Sequence, residues 1–281
     1  MTYREKYLEI KNIKSKYITG LVISSLLIDD GGFVNFTDLV KHFDDELKEE
    51  ESINSRLNRI LNGEPMQYVL GHAYFIDGEY KVTPDTLIPR QETEQLVMVA
   101  LKEIVKRFGD KEITIADLGT GSGIIAIYLK KKLSNAKVVA VDISEECLEV
   151  ARENAATYNV DVDFRLGNMM DVIDEKLDVV ISNPPYIASE NTVDEQTLKY
   201  EPHLALFANP KTKYYEEILS NMNKMKDEFF MAFEIGEDMK EELTNLIEDN
   251  YKGIGYSFME DMYFKTRFLF IFKFKDLDKY V

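Results

Sequence analysis

The stretch Glu112-Ile113-Thr114-Ile115-Ala116-Asp117-Leu118-Gly119-Thr120-Gly121-Ser122-Gly123-Ile124-Ile125-Ala126-Ile127-Tyr128-Leu129 decides the fold. Glu112 to Leu118 reads as a short buried strand, Gly119 to Gly123 as a tight loop, and Ile124 onward as the start of a helix. Strand, glycine loop and helix start together present free backbone N–H groups to a ligand. The glycines are spaced G-x-G-x-G, whereas a dinucleotide fingerprint has its third glycine one position later, where Ile124 stands. The pattern argues against a pyrophosphate. It favours another adenosine-bearing cofactor, with its carboxylate and amine lying along Gly119, Thr120, Gly121, Ser122 and Gly123.

Working downstream, the strand Lys137-Val138-Val139-Ala140-Val141 ends in Asp142, about twenty residues after the loop, where a carboxylate accepts both ribose hydroxyls. Asp142 could instead cap the helix expected from Glu145, but Ser144 can do that job. A short strand, Asp163-Phe164-Arg165, leads to Leu166-Gly167-Asn168-Met169. Asn168 is placed to meet an adenine amine. Met169 either covers the ring or fills core space. Strands alternating with helices predict an α/β fold, a doubly wound, mostly parallel sheet with its cofactor at the strand ends. Tyr256-Ser257-Phe258 and Phe268-Leu269-Phe270-Ile271-Phe272, within Gly255 to Lys275, predict a closing antiparallel hairpin.

Directly after the strand Leu177-Asp178-Val179-Val180-Ile181 comes Asn183-Pro184-Pro185-Tyr186. Proline fixes φ, removes a backbone donor and biases the residue before it away from helix. Two in a row make a stiff turn whose carbonyls face outward as acceptors. Asn183 adds a side-chain acceptor and Tyr186 a flat face for a planar group. Two acceptors gripping an NH2 aim its nitrogen at an electrophile, which suits methylation of a nitrogen with little free lone pair. The plain alternative is a Pro-Pro turn ending a strand with Asn as its cap.

Upstream, residues 1–64 read as helical: Tyr7-Leu8-Ile10-Ile13, Leu21-Val22-Leu26-Leu27, Leu39-Val40-Phe43 and Ile53-Leu57-Ile60-Leu61 recur at helical spacing, with Gly31-Gly32 and Gly63-Glu64-Pro65 between and after them. Residues 65–92 form a linker with a hairpin turning at Asp77-Gly78. Residues 93–281 hold the cofactor motifs, starting with a helix from Thr93 to Phe108 closed by Gly109.

At 281 residues and 45% hydrophobic content, the chain can bury one large core and a small satellite domain. No apolar run approaches the ~20 residues of a membrane span, and Met1-Thr2-Tyr3-Arg4-Glu5-Lys6 leads into no signal-peptide core. A cytoplasmic protein with no membrane partner is expected. The single cysteine, Cys147, excludes an internal disulfide, and His42, His72 and His203 lack metal-ligand spacing, so no metal is expected. The net charge of -17 opposes a bare nucleic-acid backbone and favours a basic protein partner. The acidic run from Asp44 to Glu51 reads as a solvated helix face or tail, with a docking patch as the other use.

The chain resembles the HemK/PrmC family, S-adenosylmethionine-dependent methyltransferases of a glutamine side-chain amide in peptide chain release factors. The resemblance runs through Gly63-Glu64-Pro65-Met66-Gln67-Tyr68-Val69-Leu70-Gly71, Leu87-Ile88-Pro89-Arg90-Gln91-Glu92-Thr93-Glu94, Asp117 to Gly123, Asn183 to Tyr186, and Tyr200-Glu201-Pro202-His203-Leu204-Ala205-Leu206. Gln91 stands where the family usually has proline, and Asn168 where aspartate is common. The resemblance implies a seven-stranded methyltransferase sheet behind a helical substrate-recognition domain. It also implies S-adenosylmethionine as cofactor and a release factor as protein partner. A monomer is expected, with Asn183 also bordering the cofactor, Asn183 and the Pro184 carbonyl accepting the two amide N–H bonds, and Pro185 and Tyr186 packing on the amide plane. Methylation of an exocyclic amine in DNA or RNA poses the same geometric problem, but base flipping would want a basic cleft. A non-catalytic cofactor-binding scaffold is the third reading.

Overall fold

The computed structural model describes residues 1–274, which fall into two compact units: Met1–His72 with Glu195–Tyr200, and Ala73–Asp194 with the described residues from Glu201 onward. The end of the expected hairpin stretch at Lys275 lies outside the described residues.

A two-stranded hairpin, β1 (His72–Phe75) and β2 (Gly78–Lys81), precedes the main sheet. That sheet is built from β3 (Thr114–Leu118), β4 (Lys137–Asp142), β5 (Asp163–Leu166), β6 (Leu177–Ser182), β7 (Met225–Glu234), β8 (Gly255–Glu260) and β9 (Thr266–Lys273). Their order is β5-β4-β3-β6-β7-β9-β8. The first five are parallel neighbours, and β9 runs antiparallel to both β7 and β8. The expected α/β sheet and its closing antiparallel hairpin are both present.

The central strands read as unbroken apolar runs because helices cover both faces. Side chains alternate across the sheet. Ile115, Val138, Ala140, Val179 and Ile181 pack with the helices Gln91–Phe108 and Ile124–Lys132. Ala116, Val139, Val141 and Val180 face the opposite side, with Lys213–Ser220 and Lys240–Asn250. From β3 the chain winds outward through β4 to β5, then returns to the other side of β3 as β6. A crevice opens where the winding reverses, at the carboxyl ends of the strands. The residues there are Gly119, after β3, and Asn183, after β6.

The hairpin turns one residue earlier than its sequence suggests. Ile76 and Asp77 occupy the bend, Ile76 at φ 48°, its N–H held by Glu94 Oε1 at 2.9 Å. Asp77 is drawn to Lys131 and Lys132 at 3.1 and 3.0 Å, at the end of the helix Ile124–Lys132. Gly78 is needed for closeness instead: a Cβ there would lie 2.1 Å from the Tyr158 hydroxyl.

In the first unit, the helices Tyr3–Lys11, Gly20–Gly31, Phe36–Lys41 and Glu50–Leu61 enclose a core of their own that includes Tyr3, Ile10, Ile23, Leu26, Leu39 and Ile53. The acidic run is not the helical face it resembles: helix begins only at Glu50. Carbonyls of Phe43 and Asp45 accept the N–H groups of Arg4 and Tyr3, which the start of the first helix leaves unpaired. That demand holds the segment as a turn. Among the described residues no helix is long and apolar enough to cross a membrane, and no group of His, Cys, Asp and Glu could hold a metal.

Candidate active site

The glycine loop is shaped from below by Asp117, the last but one residue of β3. Its Oδ2 accepts from the Thr120 hydroxyl at 2.6 Å and from the Ala126 N–H at 3.1 Å, tying both sides of the loop to one buried carboxylate. Burial away from water pushes Asp117 up to about 7. Gly119 and Gly121, at φ 71° and 55°, adopt the left-handed backbone that L side chains resist. Open space lies above them: a Cβ on Gly121 would meet nothing within 4 Å, and one on Gly119 only the Met169 methyl at 4.0 Å.

These two glycines line a cavity with Asp142, Asn168, Met169, Asn183 and Pro185. Pro84, Asp85 and Leu87 border it, as do Cys147, Pro202, Leu204 and Tyr214. Thr120, Ser122 and Gly123 do not line it. Thr120 turns back to Asp117, Ser122 is buried, and a Cβ on Gly123 would press on Ala151 at 2.8 Å, so Gly123 serves helix packing. Pro184 is buried, and Tyr186 is half-buried outside the cavity wall.

Asp142 accepts the Gly121 N–H on one oxygen at 2.8 Å and the Ser144 N–H on the other at 3.0 Å, while still bordering the cavity. Ser144 caps the following helix through Cys147, so Asp142 is not its cap. Burial raises Asp142, and the N–H groups of Ser144 and Gly121 act in the opposite direction. Asn168 gives its Nδ2 hydrogen to Glu217 Oε2 at 3.1 Å. Glu217 can only accept, so the Asn168 oxygen is the end left for a ligand. Met169 packs in the core beneath Gly119 and also borders the cavity, with its backbone at φ 42°. Cys147 is an inert wall, its thiol pushed up to about 12 by burial.

Asn183 Nδ2 donates to Thr93 Oγ1 at 3.1 Å, and Thr93 donates to Glu234 Oε2 at 2.7 Å. The other oxygen of Glu234 accepts from the Tyr186 hydroxyl at 3.1 Å. Thr93 belongs to the segment Leu87–Glu94, and its neighbours have parallel tasks. Glu201, buried in the segment after Tyr200, accepts the Ile88 N–H at 3.2 Å and pairs with Arg90. Gln91 is the first residue of its helix, where proline is suited but not required. Asn154 reaches from the helix Glu145–Thr157 to Lys81 and to the Ser122 carbonyl, tying β2 to the loop.

Sequence reading missed Thr93, Glu234 and Asn154 as parts of the site. One signal was available for Glu234: a carboxylate ending the apolar strand run Phe229-Phe230-Met231-Ala232-Phe233.

The model of the methyltransferase small domain family matches residues 95–225. A release factor glutamine methyltransferase of Enterococcus faecalis is 35% identical over 259 residues, 88% of this chain and 92% of the relative. One of Bacillus anthracis is 34% identical over 245 residues, 84% of this chain and 87% of the relative. One of Lactococcus lactis is 37% identical over 230 residues, 80% and 83%. Among solved structures, ribosomal protein L11 methylase from Lactobacillus delbrueckii subsp. bulgaricus aligns with a TM-score of 0.50 at 22% identity, covering 69% of this chain and 84% of that one. A methyltransferase from Pyrococcus furiosus gives 0.50 at 20% identity, covering 78% and 98%. At such identities the structural likeness speaks for the fold alone.

Proposed function

The chain belongs to the release factor glutamine methyltransferases, and on that premise we propose that its cavity binds S-adenosylmethionine and that Asn183 presents a release-factor glutamine to it. The observation that carries this reading is the placement of the Asn183 amide. Its NH2 end is committed to Thr93, so its oxygen is the end free to accept from a substrate NH2.

S-adenosylmethionine supplies the activated methyl group. Gly119 and Gly121 leave room for its backbone-like end, Asp142 accepts from ribose, and Asn168 with Met169 takes the base. Thr120, Ser122 and Gly123 hold the loop in shape rather than touch the ligand.

A carboxamide nitrogen shares its lone pair with its carbonyl, and no side chain can deprotonate it outright at neutral pH. The protein contributes position, dryness and polarisation instead. Asn183 Oδ1 and the Pro184 carbonyl accept the two N–H bonds and stabilise positive charge as it develops on nitrogen. Pro185 bounds the amide plane, while Tyr186, outside the cavity wall, serves to hold Glu234. The surplus proton leaves after transfer to water, so no general base precedes it. The apolar wall of Leu87, Pro202 and Leu204 favours loss of water from the amide.

One glutamine offers too little surface to identify a protein, since a specific interface needs on the order of 800 Å² per partner. The helices of residues 1–64 carry none of the cofactor motifs, and we assign recognition of the release factor to them. The net charge of -17 suits a protein partner better than a nucleic acid.

Labelled S-adenosylmethionine offered with release factor, with nucleic acid, or with neither tests the reading. Label should pass to the release factor. Label on nucleic acid alone would overturn the assignment.

A further inference from the structure

We infer that Thr93 and Glu234 are positioning residues that decide which end of the Asn183 amide meets the substrate, an inference that rests on the amide-methylating reading above.

The Thr93 hydroxyl has one hydrogen, and it goes to Glu234 Oε2 at 2.7 Å. The other Glu234 oxygen accepts from the Tyr186 hydroxyl at 3.1 Å. The carboxylate is therefore an acceptor on both sides. With its hydrogen committed, Thr93 Oγ1 can only accept. The Asn183 group facing it must be NH2, as the 3.1 Å contact has it. Asn183 Oδ1 is thereby turned away from Thr93.

An Asn183 amide turned over would place its oxygen against the Thr93 oxygen and offer NH2 to the substrate's NH2. Both contacts would then fail. Thr93 and Glu234 are 5% and 3% exposed, so water cannot readily substitute for a lost partner. Glu234 is anchored further through its backbone carbonyl, which accepts from the buried Tyr215 hydroxyl at 2.7 Å. The orientation is set from inside outward: buried carboxylate, then hydroxyl, then amide.

The same series of bonds can run in the opposite direction. In the double variant Asn183→Asp/Glu234→Gln, the amide at 234 donates to Thr93, Thr93 donates to the carboxylate at 183, and Tyr186 still finds an acceptor. Total charge is unchanged. Asn183→Asp alone instead leaves one Thr93 hydrogen between two carboxylates.

The test is steady-state methylation of a glutamine peptide and of release factor by the full chain. Asn183→Asp should lower kcat by about a hundredfold or more, and adding Glu234→Gln should recover at least about tenfold of it. Thr93→Val should lower kcat by roughly tenfold, one hydrogen bond's worth, while Thr93→Ser, keeping the hydroxyl, stays far closer to the parent. Cofactor affinity should hold in Thr93→Val and Thr93→Ser, which a general loss of structure would not allow. A double variant no more active than Asn183→Asp overturns the inference, as does Thr93→Val matching Thr93→Ser. A parent chain that methylates no glutamine overturns the amide reading itself; an active parent without recovery overturns this inference alone.

Discussion

Asn168 donates its Nδ2 hydrogen to Glu217 Oε2 at 3.1 Å, and that bond settles which end of the amide the cavity sees. An aspartate at 168 would supply a charged acceptor for an adenine amine, and by itself should tighten binding. Beside Glu217 the sign reverses, because two carboxylates at hydrogen-bond distance resist joint ionisation.

Asn168→Asp should therefore weaken S-adenosylmethionine by about tenfold, roughly 1.4 kcal/mol. Asn168→Asp with Glu217→Gln should recover that loss. Calorimetry on both variants checks it, and tighter binding by the single variant would show that Glu217 does not govern the site.

Asp142 offers a second measurement. Both its oxygens already accept backbone N–H groups, from Gly121 and Ser144, so it shapes the loop in addition to its proposed contact with ribose. Asp142→Ala should weaken cofactor binding by roughly 1.5–3 kcal/mol. Asp142→Asn should also weaken it, because one of the two N–H groups would meet an NH2. Unchanged affinity in calorimetry would place the ribose elsewhere.

The glycine loop and its strand were plain in the sequence because their signals are local. Buried parallel strands read as apolar runs, and a left-handed backbone at Gly119 and Gly121 asks for glycine. The support behind them was hidden because it joins residues far apart in the chain. Thr93 and Asn183 are 90 positions apart, and Arg90 and Glu201 are 111 apart. No periodicity encodes such pairs. The acidic run at Asp44 misled for a related reason: its backbone carbonyls answer the needs of Tyr3 and Arg4, which side-chain charge does not reveal. The hairpin slipped by one residue because Gly78 answers to Tyr158 rather than to the turn.

Asp117 should leave a mark on stability. Its folded value of about 7 lies above the ordinary aspartate value of 3.8, so the native state binds the extra proton between them. The protonated form favours folding fully below about pH 4, and this contribution is lost as pH rises toward 7. Asp117→Asn should flatten that part of the profile and unfold no more easily than the parent at pH 7. Denaturant midpoints from pH 4.5 to 7.5, compared between the two proteins, isolate the effect. Parallel curves would mean Asp117 is ionised throughout.

Recognition by the helical unit predicts a split between substrates. Leu21 and Val34 are 68% and 85% exposed, so Leu21→Asp or Val34→Asp should leave the fold intact. At least one should lower kcat/KM for intact release factor by about tenfold, the scale of an interface side chain that matters. Activity on a short glutamine peptide should not change. Equal losses on both substrates would remove the recognition role from that surface.

In the proposed mechanism the Asn183 oxygen grips the glutamine NH2 during transfer. Single-turnover methylation of release factor, with fragment mass spectrometry locating the methyl group, tests it most directly. The parent should place one methyl on a glutamine side-chain nitrogen. Asn183→Ala should lower the rate by about two to three orders of magnitude while binding S-adenosylmethionine nearly as well. Near-full transfer by Asn183→Ala, or methyl found on a different residue type, would contradict the account.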